Sequence, residues 1–259
     1  PYKLTRPETL YKWIGTFNYE KAMKSAHFWA AFGRTVLLLT IALNLEMLMG
    51  LGLALLVNKV TYGQRALRTI MMFPMMFSPV LVGFQFKFIF NDNVGLVNNA
   101  LQSLGLTDKA IPWLVDGQLA FIAILTAEMW SATSVFAILI LAGLFAVPRD
   151  PIEAAKVDGC TPWQSFRHIT LPYVMPFIYI ALAIRSLDVA RAYDIVQIMT
   201  NGGPFGSTRV LSFMMFEQAL SEYGFRMGYG AAIAVVLFLI MLLFIAYFLY
   251  SMWRDEKVR

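Results

Sequence analysis

Five long apolar runs constrain this chain more than any other feature of its sequence. A helix needs about 20 apolar residues to cross the hydrocarbon core of a bilayer. Backbone groups in lipid must be satisfied within the protein, so each run is predicted to be helical. Only 14% of the residues are charged, against roughly 25% in soluble domains. We therefore predict an all-α polytopic membrane helix bundle, a single transmembrane domain over 1–259. The predicted spans are 33–57, 69–90, 118–145, 172–199 and 228–252.

Prolines and glycines modify two of these spans. Pro74 and Pro79 interrupt the second run, and they predict a kinked or broken helix because proline removes a backbone donor. Gly50 and Gly52 in the first span are small enough to let another helix approach closely. The remaining predicted elements are a short amphipathic surface helix over 17–28, a polar loop over 91–117 and a short surface helix within 205–226.

Basic residues in the loops predict the orientation. Three polar segments, 58–68, 146–172 and the C-terminal tail, carry nine Lys and Arg residues, whereas the opposite loops carry three. The positive-inside rule then places the 146–172 segment, here called the coupling segment, in the cytoplasm. Residues 1–30 are the exception, because they carry five Lys and Arg residues on the predicted outer side. The chain starts at Pro1, and we expect a sixth span upstream that would return the native N-terminus to the inside.

The coupling segment has an unusual pattern between two apolar runs. Glu153-Ala154-Ala155 is followed after three residues by Gly159, and after nine more by Ile169-Thr170-Leu171-Pro172. Proline near 148–151 suits a helix start, and Gly159 permits a sharp turn before a second short helix. Two small alanines would offer a smooth face to another protein. On physical grounds alone, an amphipathic helix lying on the headgroups is an equal alternative.

The pattern resembles the EAA loop of binding-protein-dependent ABC importer permeases. Asn201-Gly202-Gly203-Pro204 resembles the T-x-G-G-P segment of that family, and Ile111-Pro112-Trp113-Leu114 resembles its outer loop. The resemblance covers the chain from about residue 11 to its end and is to the carbohydrate-uptake group, the maltose and glycerol-phosphate type. Two features depart from the family: its usual first span is absent, and Cys160 stands where alanine is common.

This resemblance implies a type I ABC importer permease fold and a set of partners. Family members reside in the bacterial inner membrane and work with a second permease subunit, two ATPase subunits and an external solute-binding protein. The resemblance makes the outer Gly-Gly-Pro turn a candidate contact for that binding protein. It also implies that five residues dock into the ATPase subunit, namely Glu153, Ala154, Ala155, Asp158 and Gly159.

ATP chemistry is expected in a partner chain. The pattern G-x-x-x-x-G-K-[ST] is missing from the sequence, and Gly203 to Thr208 lacks both the lysine and the spacing. Without a phosphate-cradling loop, ATP and Mg²⁺ are expected to bind to the ATPase subunits. We therefore expect a non-catalytic subunit with no cofactor of its own. His27 and His168 are too far apart to suggest a metal site, and no basic pattern suggests nucleic acid.

Polar residues inside the predicted spans are candidates for the substrate pathway, since intramembrane charges are costly. Arg185, Asp188, Arg191 and Asp194 recur every three residues in the fourth span and could pair along one helix face. A structural ladder facing a partner subunit and a hydrated pathway for hydroxyl-bearing substrates both fit this spacing. A carboxylate near an aromatic ring also suits a sugar. The pathway candidates are Glu46, Gln85, Glu128, Trp130, Arg185, Asp188 and Asp194.

Two other functions remain open from the residues alone. A secondary transporter could use the charged fourth span as an ion or proton relay. A membrane-embedded enzyme could use Glu128 and Asp188 as acid and base. For the importer, methionine- and phenylalanine-rich stretches are expected to face lipid. The carbohydrate could be neutral or anionic, since both arginines of the fourth span have nearby carboxylates.

Overall fold

The computed structural model describes residues 14–220 and 226–257, and within these ranges the regular structure is helical. The α-helices are α1 (Phe17–Met23), α2 (Ala26–Lys59), α3 (Gln64–Met72), α4 (Pro79–Ile89), α5 (Leu96–Ser103), α6 (Gly117–Phe145), α7 (Arg149–Val157), α8 (Pro162–Ser165), α9 (Leu171–Ala190), α10 (Tyr193–Met199), α11 (Leu211–Leu220) and α12 (Met227–Lys257). A 3₁₀ turn covers Pro74–Met76, and a π-helical turn, Phe166–Thr170, joins α8 to α9.

Four helical runs of the described residues are long and apolar enough to cross a membrane. They are Ala26–Lys59, Gly117–Phe145, Pro162–Ala190 and Met227–Asp255. A fifth span exists if the bent pair Gln64–Met76 and Pro79–Ile89 counts as one. The prediction of an all-α helix bundle is therefore confirmed, and its five spans agree in approximate position with four long helices and the bent pair.

The second predicted span is broken where its prolines lie. The two halves meet at an angle of 90°. Pro74 begins the 3₁₀ turn, and Pro79 is the first residue of α4. The Ser78 hydroxyl caps α4 by accepting the backbone N–H of Leu81 at 3.3 Å. The chain thus restarts a helix after the break, as the prolines predict.

The fourth predicted span, 172–199, is wrong at its C-terminal end. Helix α9 stops at Ala190, and α10 is a separate helix. Between them Tyr193 N–H binds the Arg191 carbonyl at 2.6 Å, and Ala192 has φ −65° and ψ 59°. These values define an inverse γ-turn. The charged residues of this region therefore do not share one continuous helix.

The described residues form two compact units. The first takes its residues from 1–41, 78–128 and 188–242, and the second from 42–77, 129–187 and 243–259. Helices α2, α6, α9 and α12 contribute to both units. The prediction of one transmembrane domain is not tested by this division and stays a prediction.

In the first unit, α11 is fixed against α2. The buried Thr35 hydroxyl accepts the backbone N–H of Leu211 at 2.8 Å. The first turn of α11, Leu211 to Met214, is buried. A surface helix was predicted within 205–226, and the structure corrects this, because the start of α11 is part of the core. The predicted N-terminal surface helix is present but short, since α1 ends at Met23.

The predicted polar loop over 91–117 contains a helix, α5, organised by one buried asparagine of the first unit. The Asn98 amide nitrogen donates to the carbonyls of Asp92 and Ile111, each at 3.0 Å. Its amide oxygen accepts from Ile111 N–H at 3.1 Å and from the Trp113 indole at 3.0 Å. Asn98 therefore holds the Ile111-Pro112-Trp113-Leu114 segment in place.

In the second unit, α2 and α6 approach each other at Gly50. A Cβ at this position would overlap the Phe136 side chain, so the close approach predicted for Gly50 is confirmed. No described residue of this chain lies within 4 Å of a Cβ at Gly52, and the close approach predicted there stays a prediction. The Tyr179 hydroxyl of α9 donates to the Asp255 carboxylate of α12 at 2.7 Å.

Candidate functional site: the coupling segment and the intramembrane polar groups

The coupling segment folds as two short helices, α7 and α8, with a turn between them. Pro148 precedes α7 in an extended conformation, and Pro151 lies in its first turn. Asp150 lies in the first turn and Lys156 in the last, which places each charge at the helix end whose dipole it complements. The helix–turn–helix arrangement predicted for this segment is therefore present.

Gly159 makes the turn after α7. Its φ is +78°, in the left-handed region that residues with a side chain rarely adopt. Gly159 N–H binds the Lys156 carbonyl at 3.2 Å, and Cys160 N–H binds the Ala155 carbonyl at 2.9 Å. This pair of bonds is a Schellman motif. No neighbouring atom lies within 4 Å of a Cβ at this position, so backbone conformation alone requires the glycine.

A capping box starts α8. The Thr161 hydroxyl accepts Gln164 N–H at 3.3 Å, and the Gln164 side-chain oxygen accepts Thr161 N–H at 2.8 Å. The T-x-x-Q spacing is visible in the sequence and was a missed signal for this helix start. Both ends of the turn are thus held by local hydrogen bonds.

The five predicted ATPase-docking residues differ in exposure. Glu153, Ala154, Asp158 and Gly159 are exposed, whereas Ala155 is 5% exposed. The expectation that both alanines offer a face to another protein is corrected, because Ala155 packs into its own chain and only Ala154 faces outward. The sequence reasoning also missed two large apolar side chains. Val157 is 88% exposed and Trp163 is 65% exposed, and exposed apolar residues of this size often mark interaction surfaces.

Arg185 and Glu46 form a buried ion pair in the second unit. Arg185 Nε lies 3.1 Å from Glu46 Oε2, and Arg185 Nη2 lies 3.3 Å from Oε1. The side chains are 8% and 0% exposed. This bidentate geometry joins α2 to α9 and favours a structural role for Arg185. The contact of Glu46 and Arg185 with substrate stays a prediction.

The other pathway candidates lie in different surroundings. Asp188 binds Arg191 at 3.0 Å in an exposed pair, and Asp194 is half-buried in α10. Gln85 is exposed on α4. Asp188 and Arg191 therefore pair as predicted. The four charged residues do not form a ladder along one helix, because α9 ends at Ala190.

Glu128 and Trp130 both lie on α6. Glu128 is buried, and the Trp130 ring is half-buried with its centroid 5.8 Å from that of Phe77. Residues two positions apart on a helix do not face each other. The expected cooperation of this carboxylate and this ring on one sugar is therefore not supported by the helix geometry.

The predicted binding-protein contact, Asn201 to Pro204, is a compact turn of the first unit. The Thr200 and Thr208 hydroxyls lie 2.7 Å apart, and the Thr208 hydroxyl donates to the Gly203 carbonyl at 2.7 Å. Asn201 is exposed, Gly202 is buried, and Phe205 next to the turn is fully exposed. The turn is thus ordered by its own hydrogen bonds and presents Asn201 and Phe205 outward.

The four or five spans define a polytopic membrane protein with an exposed two-helix segment between two of them. The model of the family described as "Binding-protein-dependent transport system inner membrane component" matches residues 46–254. The chain belongs to this family. Its members are transport permeases, in agreement with the expected non-catalytic subunit.

Relatives with stated substrates are similar over most of the chain. It is 34% identical over 232 residues to the trehalose/maltose transport system permease protein MalF of Thermococcus litoralis, covering 89% of this chain and 77% of that one. It is 36% identical over 227 residues to the sulfoquinovosyl glycerol transport system permease protein SmoG of Agrobacterium fabrum, covering 88% and 72%. It is 30% identical to the trehalose transport system permease protein SugA of Mycobacterium tuberculosis over 227 residues, covering 87% and 70%.

A solved structure shares the fold. The chain matches a bacterial ABC transporter involved in the import of the acidic polysaccharide alginate with a TM-score of 0.82 and 24% identity, covering 93% of this chain and 84% of that one. The predicted type I ABC importer permease fold is confirmed.

Proposed function

We propose that this chain is the transmembrane subunit of an ATP-driven importer of a carbohydrate or related polar solute, coupled to ATPase subunits through the segment 146–172. The observation that carries the proposal is the exposed two-helix segment with Glu153, Ala154 and Asp158 on its surface. The Schellman turn and the capping box fix the shape of this segment locally. The large exposed apolar side chains of Val157 and Trp163 are what a protein-docking surface accounts for.

The same segment has a direct mechanical connection to a membrane span. Helix α8 continues through the π-helical turn Phe166–Thr170 into α9, and the run Pro162–Ala190 is apolar enough to cross the bilayer. A displacement of α8 is therefore passed to α9 without an intervening flexible loop. ATP-dependent closure of the partner subunits would move this span and favour one access state of the permease over the other.

The remaining partners follow from the family membership. We infer a second permease subunit, two ATPase subunits that hold ATP and Mg²⁺, and an external binding protein that contacts the outer turn Asn201 to Pro204. The site of action is the inner membrane of a bacterium, with lipid around the bundle. The named relatives transport trehalose, maltose and sulfoquinovosyl glycerol, which supports a carbohydrate-type substrate.

A charge reversal tests the coupling role. Glu153 is exposed, so Glu153→Arg alters the surface without removing a core contact. We expect at least a tenfold loss of ATP-driven uptake in proteoliposomes while the amount of inserted protein stays within about twofold. Gly159→Pro should act in the same way, because proline cannot adopt a φ of +78°. Lys59→Glu is the matched control, an exposed charge reversal at another predicted cytoplasmic position.

The outcomes separate the proposal from its rivals. Normal coupled uptake by both variants would refute the coupling role. Failure of gently solubilised protein to retain an ATPase, together with uptake that survives ATP depletion and collapses with the ion gradient, would instead indicate a secondary transporter. Conversion of substrate by the isolated chain in detergent would indicate an enzyme.

A further inference from the structure

A cavity of about 530 Å³ in the first unit is lined by an unusual number of cations. Its walls come from α1, the start of α2, α11 and the start of α12. The basic side chains on its lining are Lys21, Lys24, His27, Arg209 and Arg226, and the acidic one is Glu20. This volume lies in the range of small-ligand pockets.

The positive charge of this cavity is only partly compensated by the described residues. Arg209 Nη2 binds Glu217 Oε1 at 3.0 Å, but its buried Nε has no hydrogen-bond partner among residues 14–220 and 226–257. Arg34 is close enough to Arg209 to repel it. Lys21 lies over the Tyr229 ring at 5.5 Å. Four permanent cations against Glu20 and Glu217 leave a net charge of +2 with His27 neutral.

The cavity collects basic residues from the segments predicted to lie on the outer side, including two of the five Lys and Arg residues of segment 1–30. Lys21 and Lys24 belong to the N-terminal segment that departs from the positive-inside rule, and Arg209 and Arg226 are two of the three basic residues in the predicted outer loops. They come from positions about 200 residues apart along the chain and line one cavity. Cations retained on the outer side and gathered at one place indicate an anionic ligand.

The helices that line the cavity also carry exposed aromatic side chains. Phe17 and Trp29 are largely exposed, and the Trp29 indole donates to the Met23 carbonyl at 2.8 Å. Aromatic side chains with one polar end favour the headgroup level of a bilayer. Phe17 and Met214 add apolar wall next to the cations, so the cavity offers both a charged site and an apolar edge.

We propose that this cavity binds a phosphate group, either the phosphodiester of an anionic lipid headgroup in the outer leaflet or free inorganic phosphate. Arginine and lysine are the usual partners of phosphate oxygens, and basic pockets at the membrane surface bind lipid headgroups. The Arg209 side chain lines the cavity and is 28% exposed, so its guanidinium contributes positive charge there. Lys24, just before α2, and Arg226, just before α12, supply further positive charge.

The test compares two double variants of the full chain, purified with its associated subunits. Lys24→Gln with Arg226→Gln removes two lining cations, whereas Lys87→Gln with Lys109→Gln removes two exposed cations of the same unit that do not line the cavity. Each sample is placed in nanodiscs of phosphatidylcholine with phosphatidylglycerol, and retained lipid is counted by native mass spectrometry. We expect selective retention of phosphatidylglycerol by the wild type and the control, and at least a tenfold weaker retention by the lining variant.

A second arm identifies the source of the phosphate. In discs of phosphatidylcholine alone, inorganic phosphate is titrated and its binding measured by ³¹P line broadening. Selective lipid retention lost in the lining variant supports the lipid source, and phosphate binding lost in that variant without lipid selectivity supports the free anion. If the lining variant does not fold, the single variants replace it. Equal retention of both lipids by the wild type, with no phosphate binding, would overturn the proposal.

Discussion

Two arginine–carboxylate pairs lie near the C-terminal end of α9 and have very different surroundings. Arg185 and Glu46 are 8% and 0% exposed, and they join positions 139 residues apart. Arg191 and Asp188 are 64% and 46% exposed and only three residues apart. Both pairs join an arginine to a carboxylate, so burial decides how much each contributes to the stability of the fold.

The buried pair is the more sensitive of the two to the loss of one partner. Taking an ion from water into a protein interior costs several kcal/mol, which a close partner offsets. An exposed pair gains little because water and salt screen it. Removing one member should therefore be severe for Glu46 and mild for Asp188, although the sequence presents all four residues as similar intramembrane charges.

Glu46→Ala is expected to give the largest effect. The substitution removes a carboxylate that binds a buried guanidinium at 3.1 Å and leaves a cavity beside it, so the free energy of unfolding should fall by about 3–5 kcal/mol. Thermal unfolding in detergent and the amount of protein in the membrane measure the loss. Asp188→Asn, which removes an exposed carboxylate on α9, the helix that carries Arg185, is the control. A fall of less than about 1 kcal/mol for Glu46→Ala would contradict the burial argument.

The sequence predicted the parts of the fold that depend on local composition. Helix α6 begins and ends within one residue of the predicted 118–145 span, because an apolar run of this length has a single low-energy structure in lipid. The break at Pro74 and Pro79 was predicted because proline removes a backbone donor from a helix. The turn of the coupling segment was predicted from Gly159 and the flanking prolines, whereas its coupling role came from the resemblance to the EAA loop.

Features that depend on distant contacts could not be predicted. The γ-turn at Ala192 has no glycine or proline, and α10 beyond it packs against α4. Glu46 on α2 binds Arg185 on α9, a contact that the i+3 spacing of the ladder hypothesis does not predict. Positions 154 and 155 are both alanine, and only the fold distinguishes the exposed Ala154 from the buried Ala155.

A double substitution separates a structural role of the buried pair from a transport role. Glu46→Leu with Arg185→Met replaces both charges by apolar groups of similar size, and such replacements are often neutral or stabilising. We expect unfolding stability within about 1 kcal/mol of the wild type. Uptake is then measured in the same proteoliposomes. Normal uptake would assign the pair to structure, whereas lost uptake in a stable protein would assign it to the substrate pathway.

The smallest effect is expected at the exposed pair, and its size depends on what covers it. In the isolated chain, Asp188→Asn or Arg191→Gln should lower the free energy of unfolding by roughly 0–1 kcal/mol, because both side chains are exposed there. Raising the salt concentration should reduce even this difference, since exposed charges are screened.

The same variants are then measured in the assembled transporter, where a second permease subunit would exclude water from the pair. An effect that grows several-fold on assembly and loses its salt dependence would place Asp188 and Arg191 at the subunit interface. An effect that stays small and salt-sensitive in both states would leave them in contact with water, as a hydrated pathway requires.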